Sequence, residues 1–317
     1  MVDRLVNGAS TVNICSLDLS KAFDKMNHHG LFIKLMKISE PNHLLLIIEK
    51  WFVNSYACVK WGSQFSVFFQ LECGIRQGGV LSPYLFALYI DNVIDHLKLL
   101  PFGCFVRYVN FNILMYADDI ILAAPSVSSL QLLVTECQKA LDGLDLAINV
   151  KKCDCIRIGR RHSVACLSIS LCDGQLIHWN NIITYLGVTI VSATSFNCTF
   201  KVAKGKFYRA FNAIFGKVGR CANEVVTVEL LRAKCMPILL YAVEACPIKS
   251  SEINNLQFAL TGAIMKIFNT KSKEIASDCA NIFGIPEVSS SVNRRTSKFI
   301  RSFNSMDTLY HQVLVDR

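Results

Sequence analysis

The side chains best placed by type and spacing to do chemistry are two adjacent carboxylates, Asp118 and Asp119, set between the apolar runs Ile113-Leu-Met-Tyr-Ala and Ile120-Ile-Leu-Ala-Ala. Tyr, Ile, Leu, Met and Ala on both sides predict a β-hairpin whose two strands are buried. Neighbouring anions in such a setting repel and lose hydration unless a cation is present. An ordinary hairpin tip would also carry Asp, which tolerates the positive φ that tight turns need. What decides between them is whether other acids converge there. Val12, Ile14 and Leu17 predict a strand that reaches Asp18, and an acid at the end of a central strand projects where ligands bind in α/β proteins. Ser20 is the expected N-cap of a helix beginning near Lys21, and Asp24, inside that helix, is read as a capping residue. If Asp18 lies beside the hairpin, three carboxylates meet from segments a hundred positions apart. That is the arrangement for two Mg²⁺ ions, roughly 3.5–4 Å apart, acting on a phosphoryl group.

The elements that must position these acids are legible as patterns. From His28 to Trp51 the apolar residues recur at helical spacing, interrupted at Pro41, which predicts two helices. Val53 to Leu71 is rich in aromatic and β-branched residues, with Trp61-Gly62-Ser63 as a turn between two strands. These stretches are scaffold, and Trp51 and Trp61 are expected in the core. Gly74, Gly78 and Gly79 make a loop in which a ligand can approach the backbone, with Arg76 and Gln77 inside it; Ser82-Pro83 then starts an amphipathic helix.

Composition bounds the function classes. A chain of 317 residues can bury a sizeable core and accommodates about two domains. Its net charge of +9 points to a polyanionic partner if the basic residues cluster. The fourteen cysteines include no Cys-x-x-Cys pair, so most are expected to be buried thiols in a reducing, intracellular compartment, nucleus or cytoplasm. Mean hydropathy is +0.36, yet no apolar run approaches the ~20 residues of a membrane span, and the amino terminus has no signal-peptide pattern.

Taken together, Leu17-Asp-Leu-Ser-Lys-Ala-Phe-Asp24, Gly74-Ile-Arg-Gln-Gly-Gly-Val-Leu-Ser-Pro83 and Tyr116-Ala-Asp-Asp119 resemble motifs A, B and C of reverse transcriptases, in order. Gly143-Leu-Asp-Leu-Ala-Ile-Asn-Val-Lys-Lys-Cys153 resembles motif D and Ile183-Thr-Tyr-Leu-Gly-Val188 motif E. The wording is most similar to the non-LTR, LINE-type retrotransposon enzymes, particularly the jockey-like branch. The resemblance implies that Asp18, Asp118 and Asp119 hold two Mg²⁺ ions, with Mn²⁺ as an alternative. It implies that Leu19, Phe23, Gln77 and Gly78 bind the incoming dNTP, Phe23 as a ring that clashes with a ribose 2′-OH. Lys152, with Lys151 beside it, becomes the candidate general acid for the pyrophosphate leaving group. Tyr185, Leu186 and Gly187 become the turn that grips the primer.

After Ser192 the pattern changes to helices with a basic face: Lys201, Lys204, Lys206, Arg209, Lys217, Arg220, Arg232 and Lys234, against Glu224 and Glu229. A charge run is usually a solvated face. The resemblance places a helical thumb here, with Lys201, Lys204, Lys206 and Arg209 contacting nucleic-acid phosphates. A last basic group, Arg294, Arg295, Lys298 and Arg301, fits either a nucleic-acid contact or a solubilising end. The expected fold is α+β: a polymerase palm of β-α-β-β-α-β, ferredoxin-like type with a partial fingers insertion at about 26–72, all within residues 1–192, then a helical thumb over 193–317. The expected function is RNA-directed DNA synthesis on an RNA template and DNA primer; the alternative is a nucleic-acid-binding remnant without catalysis. Because ten residues precede Thr11, the sequence is expected to be an amino-terminally truncated copy, with apolar palm surface exposed and poor solubility.

Overall fold

The structure is a computed structural model that describes residues 1–38, 41–219 and 221–306. Residues 39–40 of the fingers segment, and Arg220 and residues 307–317 of the thumb segment, lie outside it. The chain divides into two compact units, Met1–Asn181 and Ile182–Arg317. Among the described residues no helix is long and apolar enough to cross a membrane.

In the first unit α1 (Val2–Asn7) leads to β1 (Val12–Asp18), whose residues Val12, Ile14, Cys15 and Leu17 are buried. Apolar side chains buried at both even and odd positions suit a central strand covered on both faces. α2 (Ala22–Lys25) is a single turn entered through Lys21 at φ 50° rather than a helix capped by Ser20. α3 (His28–Lys37) starts where the Asn27 side chain accepts the Gly30 N–H, and α4 (Asn42–Val53) follows Pro41. β2 (Tyr56–Ala57) pairs with β5 (Phe69–Gln70) and encloses the hairpin of β3 (Lys60–Trp61) and β4 (Gln64–Phe65), turned at Gly62. Next come α5 (Ser82–Lys98), the small hairpin β6 (Phe105–Val106) and β7 (Val109–Asn110), then β8 (Ile113–Tyr116) and β9 (Asp119–Ala124). α6 (Val127–Asp142) is capped by Ser126; a 3₁₀ turn (Val150–Lys152), β10 (Asp154–Ile158), β11 (Ile169–Ser170) and β12 (Leu176–Ile177) complete the unit.

Strands β10-β1-β9-β8 form one antiparallel sheet in that order. With α5 before β8 and α6 before β10, this is the expected β-α-β-β-α-β palm, its last strand beside its first. Side chains alternate across a sheet. Cys15, Leu17, Ile120, Leu122 and Ala124 join the core built with Leu85, Phe86, Ile90, Leu130 and Leu133 of α5 and α6. The same parity turns Asp18 and Asp119 to the opposite face.

In the second unit β13 (Ile182–Tyr185), β14 (Val188–Val191) and β15 (Asn197–Thr199) form a separate antiparallel sheet. α7 (Lys201–Val218) buries Phe207 and Phe211, and α8 (Glu224–Leu230), capped by Asn223, runs through a π-type turn (Leu231–Cys235) into α9 (Met236–Leu239). Pro237 lacks the N–H an α-helix needs there, which accounts for the irregular turn. α10 (Ser250–Ile267), α11 (Lys273–Ile282) and α12 (Val288–Asn304) close a core around Phe207, Leu231, Leu239, Leu260, Ile264 and Val288.

Several expectations need correction. Of the acidic hairpin only β9 is buried, from Ile120 to Ala124, because β8 is the sheet edge and exposes Leu114 and Tyr116. Trp51 and Trp61 are not core residues: they are 38% and 86% exposed, the latter on a hairpin with no packed face. Half of the fourteen cysteines are buried, not most, and all are free thiols. By contacts the chain divides between Asn181 and Ile182, which groups the motif E strands with the helices of the second unit, whereas the expected boundary lies at Ser192.

Candidate active site

Asp18 is the last residue of β1 and lies directly opposite Asp119, the first residue of β9. Across the hairpin Asp119 pairs with Tyr116, leaving Ala117 and Asp118 as a two-residue turn. The left-handed residue of that turn is Ala117, at φ 54°, not either aspartate. An alanine held there stores roughly 1–2 kcal/mol of strain, of the kind that clusters at functional sites. Register and turn thus bring the three expected carboxylates to one sheet end. Burial first, then the Asp118 and Asp18 carboxylates, raise the Asp119 pKa; Lys152 opposes the shift. Among the described residues the Asp118 and Asp119 side chains make no hydrogen bond and no ion pair. Three partly buried carboxylates in mutual repulsion, two of them without partners, are a donor set suited to a hard divalent cation. As they stand, no three His, Cys, Asp or Glu side chains among the described residues are drawn in closely enough to hold a metal. The donor chemistry fits; the closing of the carboxylates around a common point is not present.

Lys152 Nζ lies 3.3 Å from Asp18 Oδ2, with Lys152 66% and the Asp18 side chain 21% exposed. Among the described residues Lys151 makes no such contact. The 3₁₀ turn that carries Lys152 is tied to Asp18 by three further contacts. Asn149 N–H donates to the Asp18 carbonyl (2.8 Å), Asn149 Nδ2 donates to Oδ2 (3.3 Å), and the Asp18 N–H meets Cys153 Sγ (3.4 Å). Asn149 and Cys153 were inside the motif D segment but carried no recognisable signal, since their role arises from a pairing across more than a hundred residues.

Phe23 stacks on Phe86 of α5 at 4.5 Å between ring centroids, so the helix after the glycine loop fixes the expected sugar-excluding ring. Phe86 was readable only as an apolar helix position. Gln77 is exposed and donates through Nε2 to Asp24 Oδ1 (3.3 Å), a ligand for Asp24 other than a helix end. Gly74 N–H and Ile75 N–H donate to the Met26 and Phe23 carbonyls (both 2.8 Å), strapping the loop to α2. Gly74 sits at φ 79°, and a Cβ there would be 2.6 Å from the Asp24 carbonyl oxygen. Gly78 is at φ 84° with open space around it. The Leu19 side chain is buried in the palm core, so a nucleotide could meet only its backbone.

In the second unit Leu186 (φ 46°) and Gly187 (φ 78°) form the two-residue turn between β13 and β14. Two positive φ values are those of a type I′ hairpin turn. Tyr241, just past α9, donates its hydroxyl to the Leu186 carbonyl (2.9 Å), and a Cβ on Gly187 would be 3.0 Å from its ring. The turn, Tyr241 and Lys206 line a cavity of about 330 Å³. Lys201, Lys206 and Arg209 are exposed on α7, and Lys204 is half-buried.

A four-stranded antiparallel palm with three carboxylates at one end of its central strands is the architecture of a nucleic-acid polymerase palm. The family model described as reverse transcriptase (RNA-dependent DNA polymerase) matches residues 4–190, more than half of the chain, and the chain belongs to that family. Its sequence likeness lies with LINE-type elements. It is 26% identical over 187 residues to the RNA-directed DNA polymerase from mobile element jockey of Drosophila melanogaster, covering 57% of this chain and 20% of that protein. It is 30% identical over 142 residues to the Pol polyprotein of the type-2 retrotransposable element R2DM of the same organism, covering 44% of this chain and 13% of that protein. The chain therefore spans a fifth or less of these two relatives. Among solved structures, telomerase from Candida tropicalis aligns over 96% of this chain and 49% of its own, at 14% identity and a TM-score of 0.45.

Proposed function

We propose that the chain is the catalytic palm and thumb of an enzyme that extends a DNA primer on an RNA template with dNTPs. The observation that carries this is the direct opposition of Asp18 and Asp119 with Asp118 in the adjoining turn, on a chain of the reverse transcriptase family. Asp18, Asp118 and Asp119 would hold two divalent cations, Mg²⁺ or in its place Mn²⁺, which when bound polarise the α-phosphoryl group and activate the primer 3′-OH for in-line attack.

The remaining work falls to the protein's own groups. Phe23, backed by Phe86, occupies the space of a ribose 2′-OH and so selects deoxynucleotides by clash. Gln77 and Gly78 meet the incoming nucleotide, Gln77 held by Asp24 and Gly78 bringing bare backbone close. Lys152 neutralises Asp18 in the resting protein and is the proton donor to the leaving pyrophosphate, a role generally worth about 10²–10⁴ in rate. Tyr185, Leu186 and Gly187 hold the primer end, and Lys201, Lys204, Lys206 and Arg209 bind backbone phosphates.

The test is primer extension on an RNA template with dNTPs and Mg²⁺, comparing the chain with an Asp118→Ala, Asp119→Ala double variant. Extension that the double variant abolishes is the expected result. No extension by either protein, with salt-sensitive hybrid binding retained, would overturn catalysis and leave a binding module.

A further inference from the structure

The basic group on α12 is not used by the reaction above, and it sits on a built site. Within the second unit a cavity of about 430 Å³ is lined by Arg232, Arg294 and Arg295 together with Leu240, Pro286 and Ser291. None of these residues is on α7.

Two of the three guanidinium groups are fixed in place. Arg232 donates through Nη2 to the Phe283 carbonyl and through Nη1 to Glu229 (2.8 Å). Arg295 donates through Nη1 to the Leu240 carbonyl (2.9 Å) and lies 3.6 Å from Glu244. Arg294 has no hydrogen bond and no ion pair among the described residues. Among the described residues, three arginines against two glutamates leave one positive charge uncompensated at the cavity. Guanidinium groups already anchored by carbonyls lose little freedom when an anion arrives, and their planar fork matches phosphate. A second, independent observation points the same way. Ser291 is 2% exposed, and its hydroxyl has no hydrogen-bond partner among the described residues. Buried hydroxyls are nearly always paired, and this one can turn to donate to an acceptor in the cavity.

The surroundings distinguish a polyanion from a lone anion. α12 carries Arg294, Arg295, Lys298 and Arg301 and no acidic residue in Val288–Asn304. Arg294, Lys298 and Arg301 are spaced i, i+4, i+7, so they share one helix face over about 10 Å. With one phosphate per ~3.4 Å of axis on each strand, that ridge spans about three phosphates. We propose that the arginine cavity and this ridge form a second nucleic-acid contact, which takes successive backbone phosphates and reads no bases. The anion site stands on the cavity alone; nucleic acid as the source of the phosphate rests on the function proposed above.

The full chain, as wild type and as Arg294→Ala, is titrated with a fluorescein-labelled RNA–DNA hybrid at several salt concentrations, and each protein is melted with and without inorganic phosphate. Arg294 is exposed and unpartnered, so the variant should melt like wild type in the absence of ligand. The expected result is a variant that binds about 3- to 10-fold more weakly near 0.1 M salt, equally for unrelated sequences, with a log–log salt slope shallower by about one. Unchanged affinity and slope, or a wild type that binds no hybrid, would overturn the proposal. Phosphate stabilisation that needs Arg294 while hybrid binding does not would also overturn it, in favour of a free phosphate ligand. Arg294-dependent hybrid binding by a chain that extends no primer would sink the catalytic reading and keep this one.

Discussion

Asp119 opposes the folding of the strand it begins. Its raised pKa, caused first by burial and then by Asp118 and Asp18, means that it takes up a proton more readily folded than unfolded. The sign follows from linkage: this group favours the folded state fully below its unfolded pKa, near the ordinary 3.8, and that contribution is lost as pH rises through the raised folded value. Asp119→Asn removes the load. At neutral pH and without metal the variant should melt above wild type, by a few °C at most because solvent screens a partly buried carboxylate, and the gain should shrink as pH is lowered towards 3.8. A thermal melt series across pH checks this, and a lower melting point at neutral pH would refute it. The three aspartates were legible because acid in an apolar strand is an anomaly that types and spacing expose. Asn149 and Cys153, which grip Asp18, were not, because nothing local marks a polar residue whose partner lies more than 130 positions away.

At the scale of elements, the glycine loop shows two glycines doing different jobs. Gly78 is needed for its backbone angle alone, whereas Gly74 combines a left-handed φ with a seat against the Asp24 carbonyl. Gly78→Ala should therefore destabilise the protein by about 1–2 kcal/mol, the strain of a Cβ in that region. Gly74→Ala should add about 1–3 kcal/mol of overpacking to this. Urea midpoints of the two variants decide it, and equal losses would contradict the close contact. The palm strands and the helices on either side of Pro41 were legible from period and punctuation. The exposure of Trp61 was not, since an aromatic strand reads the same whether it packs or stands free. Edge position in the sheet, which leaves Tyr116 exposed, is likewise a product of pairing order, and pairing order is not written in any one strand.

For the whole molecule, exposed apolar surface lies not only at the palm's edge strand, where Leu114 and Tyr116 are exposed, but also on the segment expected as scaffold. The palm sheet is covered on its core face, while Val59, Trp61, Phe65, Val67 and Phe68 of the nested hairpins are exposed. A run of large apolar side chains of this kind marks an interaction surface or an aggregation liability. The isolated chain should bind a hydrophobic dye in its native state and self-associate with concentration. Trp61→Lys with Phe68→Lys should lower both signals with little change in melting temperature; undiminished dye binding would locate the sticky surface elsewhere. The division into units was the least legible feature, because motif E reads as a continuation of the palm while its strands, among the described residues, pair only with each other and β15. The β1–β9 register carries one more implication. Side chains alternate, so a slip of one residue would turn Asp18 into the core and Leu17 out, and no intermediate register exists. Damage to this sheet should thus be counted in molecules rather than in degree. A destabilised preparation would behave as a mixture of copies with the three carboxylates assembled and copies without them, the number of assembled copies falling while each keeps its full geometry.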